Sequence, residues 1–269
     1  MGAYVDDLLR DNQDVQLHIH PAWRSFEKGS LVPARKASDL CADYSKETLI
    51  ELLRCGAEQL RSWTGEMPIA LRTGNFSVSS SLFQAAKEIG LSTSSSICLG
   101  YAPPLEERLR VYAGAHTIEG VRSFPVTCFR DRGPIGRSRF RGFQITSCAQ
   151  WEIGALLKLA FDLRYPYVII VTHPFEFTRQ RSGQLVDANR VNQSRFKWLC
   201  SFLARHSDRY SVVTMNQLSA EALHRVNERL PELVGGVVPS LLRTAQNVCN
   251  DHMPRLPWNR LSVSRASAL

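Results

Sequence analysis

Short apolar runs alternate along this chain with longer amphipathic stretches, and that alternation constrains the fold more than any other feature. Val15 to His20, Ile69 to Arg72 and Tyr167 to Thr172 have the length of strands. The stretches between them repeat their apolar residues every three or four positions, as helices do. Strands that alternate with helices need crossover connections, and crossovers place strands parallel with helices over the sheet. The fold class expected is therefore α/β. With 269 residues, 44% of them hydrophobic, the chain can bury one substantial core.

The spacing predicts a helix from Lys46 to Trp63, with Leu49, Leu52, Leu53, Leu60 and Trp63 on one stripe and Gly65 as its stop. A second helix starts near Ser80 and ends at Gly90. Ser147 to Gln150 reads as a capping box opening a helix to Arg164. A longer helix from Asn189 to His206 is expected to bury Phe196, Leu199, Cys200 and Leu203, and another covers Leu218 to Asn227. Ser211 to Thr214 reads as the last strand. Residues 92–146 read as short strands and loops, with strand-like pieces at Val111 to Tyr112 and Arg122 to Thr127. The pattern divides into a main body over residues 1–235 and a docked, partly disordered C-terminal extension over 236–269, whose signals fade from Pro239.

The formal charge of +8 favours anionic partners. No apolar run approaches the ~18 residues of a membrane span. Asp6, Asp7 and Arg10 stand where a secretory leader would have an apolar core, so no export signal is read and a cytoplasmic location is expected. The seven cysteines show no Cys-x-x-Cys spacing, which points to reduced thiols rather than a zinc cluster or disulfide framework.

Three places carry chemistry. In Val15 to His20 the apolar Val15, Leu17 and Ile19 alternate with Gln16, His18 and His20, so both imidazoles project from one face and can share a metal ion. They also sit at the end of the strand, where parallel α/β folds build active sites. The bland alternative is a pair of hydrogen-bonded histidines. His173 repeats the pattern of apolar strand, histidine, proline, and could be an acid or base, or structural. Arg72 ends its own strand; either it is exposed or it points at an acidic group. His116, His206, His224 and His252 read as structural. The segment Phe129 to Phe143 holds Arg130, Arg132, Arg137, Arg139 and Arg141 against Asp131, and reads as a solvated basic loop or a collar for an anionic substrate. Phe129, Phe140 and Phe143 lie among these arginines, but without a recognised motif a nucleic-acid surface is not expected.

Taken together, Gln16-Leu17-His18-Ile19-His20-Pro21-x-Trp23, Arg72-Thr73-Gly74-Asn75-Phe76 and His173-Pro174-Phe175-Glu176 resemble the successive motifs of polysaccharide deacetylases of the nodulation-factor-deacetylase (NodB-homology) type, in its His-x-His-Pro branch. The resemblance runs from about Asp14 to about Leu218. It implies a distorted (β/α)7-type barrel and a divalent metal, often zinc. The activity implied is metal-dependent hydrolysis of a non-peptide C–N bond, with N-deacetylation of an acetamido sugar in a surface polysaccharide as the reaction. By the resemblance His18 and His20 would bind the metal, His173 would be the catalytic acid and Arg72 would orient the base. Trp23, Asn75, Phe76 and Glu176 would meet a carbohydrate substrate, which the basic surface allows to be anionic. Two departures are visible. The family's usual histidines stand four apart rather than two. Its opening strand, which carries the acidic base and third ligand, has no counterpart before Val15, so the barrel is expected to lack its first strand. A glycan-binding relative without activity and an amidohydrolase-type metal hydrolase remain open alternatives.

Overall fold

A computed structural model describes residues 2–26, 38–132, 138–181, 184–220 and 224–252. The expected alternation is present in its first half. Helix α1 (Gly2–Arg10) leads into strand β1 (Leu17–Ile19), followed by α2 (Lys46–Thr64), β2 (Ala70–Thr73), α3 (Ser80–Glu88) and β3 (Thr93–Ser94). The Ser45 side chain accepts from the amide of Thr48 to start α2, and Gly65 at φ 83° ends it in the left-handed conformation the sequence anticipated. Strands β4 (His116–Ile118) and β5 (Val121–Ser123) complete a five-stranded sheet in the order β1-β2-β3-β5-β4, parallel except for β4. Helices α2 and α3 bury Leu49, Leu53, Ala57, Leu82 and Phe83 with Leu17, Leu71 and Val121.

The second half is built differently. Strands β6 (Cys128–Arg132) and β7 (Ser138–Gly142) are antiparallel, and are followed by α4 (Gln150–Asp162), the hairpin β8 (Thr178–Arg181) and β9 (Gln184–Ala188), and α5 (Arg190–Arg205). Then come α6 (Met215–Ala220), β10 (Leu233–Val234), which joins β6 in parallel, and α7 (Val237–His252). Phe129, Phe143, Ile153, Leu157, Leu199 and Leu233 form a second apolar core. The chain is thus mixed α/β with a parallel sheet; among the described residues the strands do not close into one ring.

Several expectations shift for identifiable reasons. Tyr167 to Thr172 lies extended against residues 127 and 143, but makes only one parallel bridge, Gln144 to Val171. The Thr127 hydroxyl takes the Ile169 amide at 2.9 Å, and a side chain in place of a backbone acceptor interrupts the ladder. Ser211 to Thr214 is not a strand: Val212 is 75% exposed, and the Thr214 hydroxyl accepts from the amide of Gln217 at the start of α6. Helix α4 starts later than the capping box at Ser147 implied, and the Glu152 carboxylate instead takes the Ala149 amide at 3.2 Å. Helix α5 buries Asn192, Arg195 and Leu199, while Phe196 and Cys200 face outward. The C-terminal extension is a helix over most of its described length, fixed by Arg243, which pairs with Asp131 and Glu152.

His116, read from the sequence as structural, lies in β4. It is buried there with Nε2 2.9 Å from the carbonyl of Ala113. Burial holds its pKa below the ordinary histidine value, and the bond to Ala113 only partly offsets this. A native histidine that resists protonation binds fewer protons than its unfolded counterpart below about pH 6.5. Its stabilising contribution is therefore complete above that pH and fades as the pH falls toward the lowered native value. His116→Gln should flatten the loss of thermal stability between neutral pH and pH 5. Parallel melting curves for parent and variant across that range would contradict this assignment.

Candidate active site

Parallel pairing of β1 with β2 sets the geometry of the site. His18 lies in register with Arg72, and Ile19 with Thr73. The His18 Nδ1 stands 2.9 Å from the carbonyl oxygen of Arg72. A carbonyl can only accept, so Nδ1 carries the proton and Nε2 is left with its lone pair. His18 is exposed at the surface, yet its pKa lies below the ordinary value, first because the surrounding protein partly desolvates the charged ring and next because His20 is close by. The bond to the Arg72 carbonyl works the other way, while the charges of Arg72 and His173 lower it further. Three of the four predicted residues therefore act electrostatically on the fourth.

His20 has a partner that the sequence did not reveal. Its Nδ1 is 2.7 Å from Oδ2 of Asp39, and the same oxygen accepts from Nδ2 of Asn75 at 2.7 Å. With Nδ1–H given to a carboxylate, Nε2 of the neutral ring is the nitrogen left for a ligand. The other oxygen, Asp39 Oδ1, is buried and has no hydrogen-bond partner among the described residues. The rings of His18 and His20 stand edge to face with centroids 4.9 Å apart, and Trp23 stacks on His20 at 5.2 Å. Trp23 is 69% exposed, so this stack forms part of the surface of the cleft.

The turn after β2 is strained. Asn75 and Phe76 both have positive φ, at 55° and 53°, an uncommon conformation for any residue and a costly one for a phenylalanine. It brings Asn75 onto Asp39 and turns Phe76 inward, where Phe76 is buried and meets the ring of Tyr101 edge-on. Phe76 thus supports the cleft from behind. Gly74 sits against His20: a Cβ at this position would lie 2.4 Å from Cε1 and Nδ1 of the ring. Gly74→Ala should therefore displace His20 and cost about 1–3 kcal/mol. Urea denaturation measures the cost, and loss of the low-field imidazole N–H resonance measures the broken bond to Asp39. An alanine variant unchanged in both would refute this packing.

Arg72 is half-buried and bonds neither to a carboxylate nor freely to water. Its Nε donates to the Ser95 carbonyl at 2.9 Å and its Nη2 to the Ser95 hydroxyl at 2.8 Å. Among the described residues no carboxylate pairs with it, and burial pulls its pKa below the ordinary value. His173 ends the extended run 167–172, with Nδ1 2.9 Å from Oε1 of Glu176. Glu176, expected at the substrate, is buried. Its oxygens also accept from the Gln144 amide and, at 2.9 Å, from the Thr172 hydroxyl, which makes it a support for His173.

A cavity of about 190 Å³ lies alongside, lined by Cys98, Tyr101, Arg139, Arg141, Gln144 and Ser147 among others. Gln144 joins it to Glu176, and Tyr101 joins it to Phe76. The basic loop is therefore not a simple solvated collar. Arg130 pairs with Glu232 and lies over Phe140, and Arg141 pairs with Asp131, while Arg139 and Arg141 edge the cavity. Arg137 lies outside the described residues.

His18 and His20 suit a divalent metal by donor chemistry, since a partner on Nδ1 orients each ring and Nε2 of the neutral ring is a metal donor. Among the described residues no group of three or more His, Cys, Asp or Glu side chains is placed to hold an ion, so the two imidazoles supply a partial set. No protein-family model matches this sequence, and no curated protein matches it either.

Proposed function

We propose that this chain is a metal-dependent hydrolase of a non-peptide C–N bond, removing the acetyl group from an acetamido sugar of a polysaccharide. The observation that carries the reading is the pair of Nδ1 contacts made by the two strand histidines. Both Nδ1 positions face acceptors, so in the neutral rings the two Nε2 atoms are the ones left to bind a ligand, and His173 is near enough to act electrostatically on His18. His18 and His20 would hold a divalent ion, zinc by donor type, which when bound polarises the acetamide carbonyl as a Lewis acid. Asp39 orients His20 through Oδ2, and its Oδ1, buried and without a partner among the described residues, would take a proton from water only once the site opens to it. His173, oriented by Glu176, delivers a proton to the departing amine nitrogen. Arg72 is fixed by Ser95 in register beside His18, Trp23 stacks on His20, and Asn75 holds Asp39.

A non-catalytic glycan-binding role is favoured by one observation, the partial ligand set. Metal analysis of the purified chain after zinc loading, together with acetate release from N-acetylated glucosamine polymer, separates the two. The hydrolase reading requires stoichiometric zinc that is lost in His18→Ala, and turnover lost with it. Glycan binding with neither zinc nor acetate release would establish the binder instead.

A further inference from the structure

Helix α7 is turned inside out. The side chains of Ser240, Arg243, Gln246, Asn247 and Asn250 face the body of the protein, and those of Val237, Val238, Leu241, Leu242, Ala245 and Val248 face outward. Val238 is 66% exposed and Val248 52%. A surface helix ordinarily buries its apolar stripe. Here the polar stripe is bound instead. Arg243 reaches Asp131 and Glu152, Arg195 donates to Gln246 and Asn247 at 3.0 and 2.9 Å, and Arg179 donates to Asn250 at 2.8 Å. These contacts hold α7 without using its apolar face, which leaves that face contiguous and exposed among the described residues.

We propose that the outward stripe of α7 docks on an anionic lipid surface, lying in the interface rather than crossing it. Among the described residues no helix is long and apolar enough to cross a membrane, and a helix with one apolar face suits the boundary between headgroups and acyl chains. Charge selects the occupant. The chain carries a formal +8, and residues 253–269, directly after the helix, contain Arg255, Arg260 and Arg265 with no acidic residue. The same segment has Trp258, a residue type favoured at lipid interfaces. Such charge attracts anionic headgroups and repels a second copy of the chain. A strip one helix wide is also narrower than the ~800 Å² per partner of a stable protein interface.

The test is sedimentation of the full chain with vesicles of phosphatidylcholine, with and without phosphatidylglycerol. Binding is expected with the anionic lipid and should weaken as salt rises. Leu241→Gln combined with Leu242→Gln should lower partitioning about tenfold or more, since two leucines leave the apolar phase. Both positions are outward, so the circular dichroism spectrum and melting temperature should not change; Val238→Ser with Val248→Ser is a second pair that should act alike. Failure to bind anionic vesicles would overturn the proposal, as would undiminished binding by both pairs. A lipid-free dimer that the leucine pair converts to monomer would overturn it too, by assigning the stripe to a second copy.

Discussion

Replacing Arg243 by methionine is expected to cost about 3–5 kcal/mol of stability, among the largest effects available to a single substitution in this chain. The side chain is 3% exposed and meets two carboxylates exposed by 5% and 1%, Asp131 at 2.6 Å and Glu152 at 2.5 Å. Arg141 adds a second contact to Asp131 at 3.1 Å. Burial alone would raise the pKa of Asp131, but the hydrogen bond and charge of Arg243 outweigh it and hold the carboxyl below its ordinary value. Without the guanidinium, two acids are left in a place that disfavours their charge. Urea denaturation at pH 7 gives the size of the loss. A lowered carboxyl pKa stabilises above the ordinary carboxylate range, and this contribution vanishes as the pH drops through the native value. The gap between parent and Arg243→Met should therefore narrow on acidification. Adding Asp131→Asn and Glu152→Gln to the variant should restore much of the loss, since neutral amides tolerate burial better than unpaired carboxylates. A single variant within about 1 kcal/mol of the parent would show that α7 is not held by this network.

This network also marks where the sequence stopped being readable. Helix α2 could be read from Leu49, Leu53 and Leu60 because their spacing repeats over five turns and a glycine ends it. The two histidines of β1 could be read from alternation, since side-chain direction on a strand is a local property. Helix α7 could not be read the same way. Its apolar residues are periodic, but the rule that the apolar stripe faces inward fails when buried charges bind the opposite face. The same bonds draw Arg195 into the interior, which turns Phe196 outward on α5. In the site, Asp39 was invisible because it lies in irregular chain with no period or motif around it, and only folding brings it to His20 and Asn75. Arg72 was expected either in solvent or on a carboxylate. Its partner Ser95 is an uncharged residue just past β3, and strand order rather than charge makes that pairing. Pairing between strands is a tertiary fact, so partner identities are what local reading loses most easily.

The histidines allow a sharper division of labour to be tested. His173→Gln should reduce acetate release by about 10²–10⁴-fold, the range expected when a positioned proton donor is lost. Glutamine preserves a donor toward Glu176, so the fold and the zinc content should both survive. His18→Ala should instead lose zinc and turnover together if the proposed function holds, because Nε2 would be the ligand and the Arg72 carbonyl orients its ring. Glu176→Gln tests the support beneath His173. The carboxylate accepts from Gln144, Thr172 and His173, and an amide cannot accept on both sides at once. Its effect should fall between those of the parent and His173→Gln, with a changed pH profile rather than a changed zinc content. These three outcomes would assign separate tasks to His173, His18 and Glu176. If His173→Gln kept turnover within about threefold of the parent while His18→Ala abolished it, proton delivery would have to come from elsewhere. The cavity beside Gln144, edged by Arg139 and Arg141, would then be the place to look, since it is joined to the same Glu176.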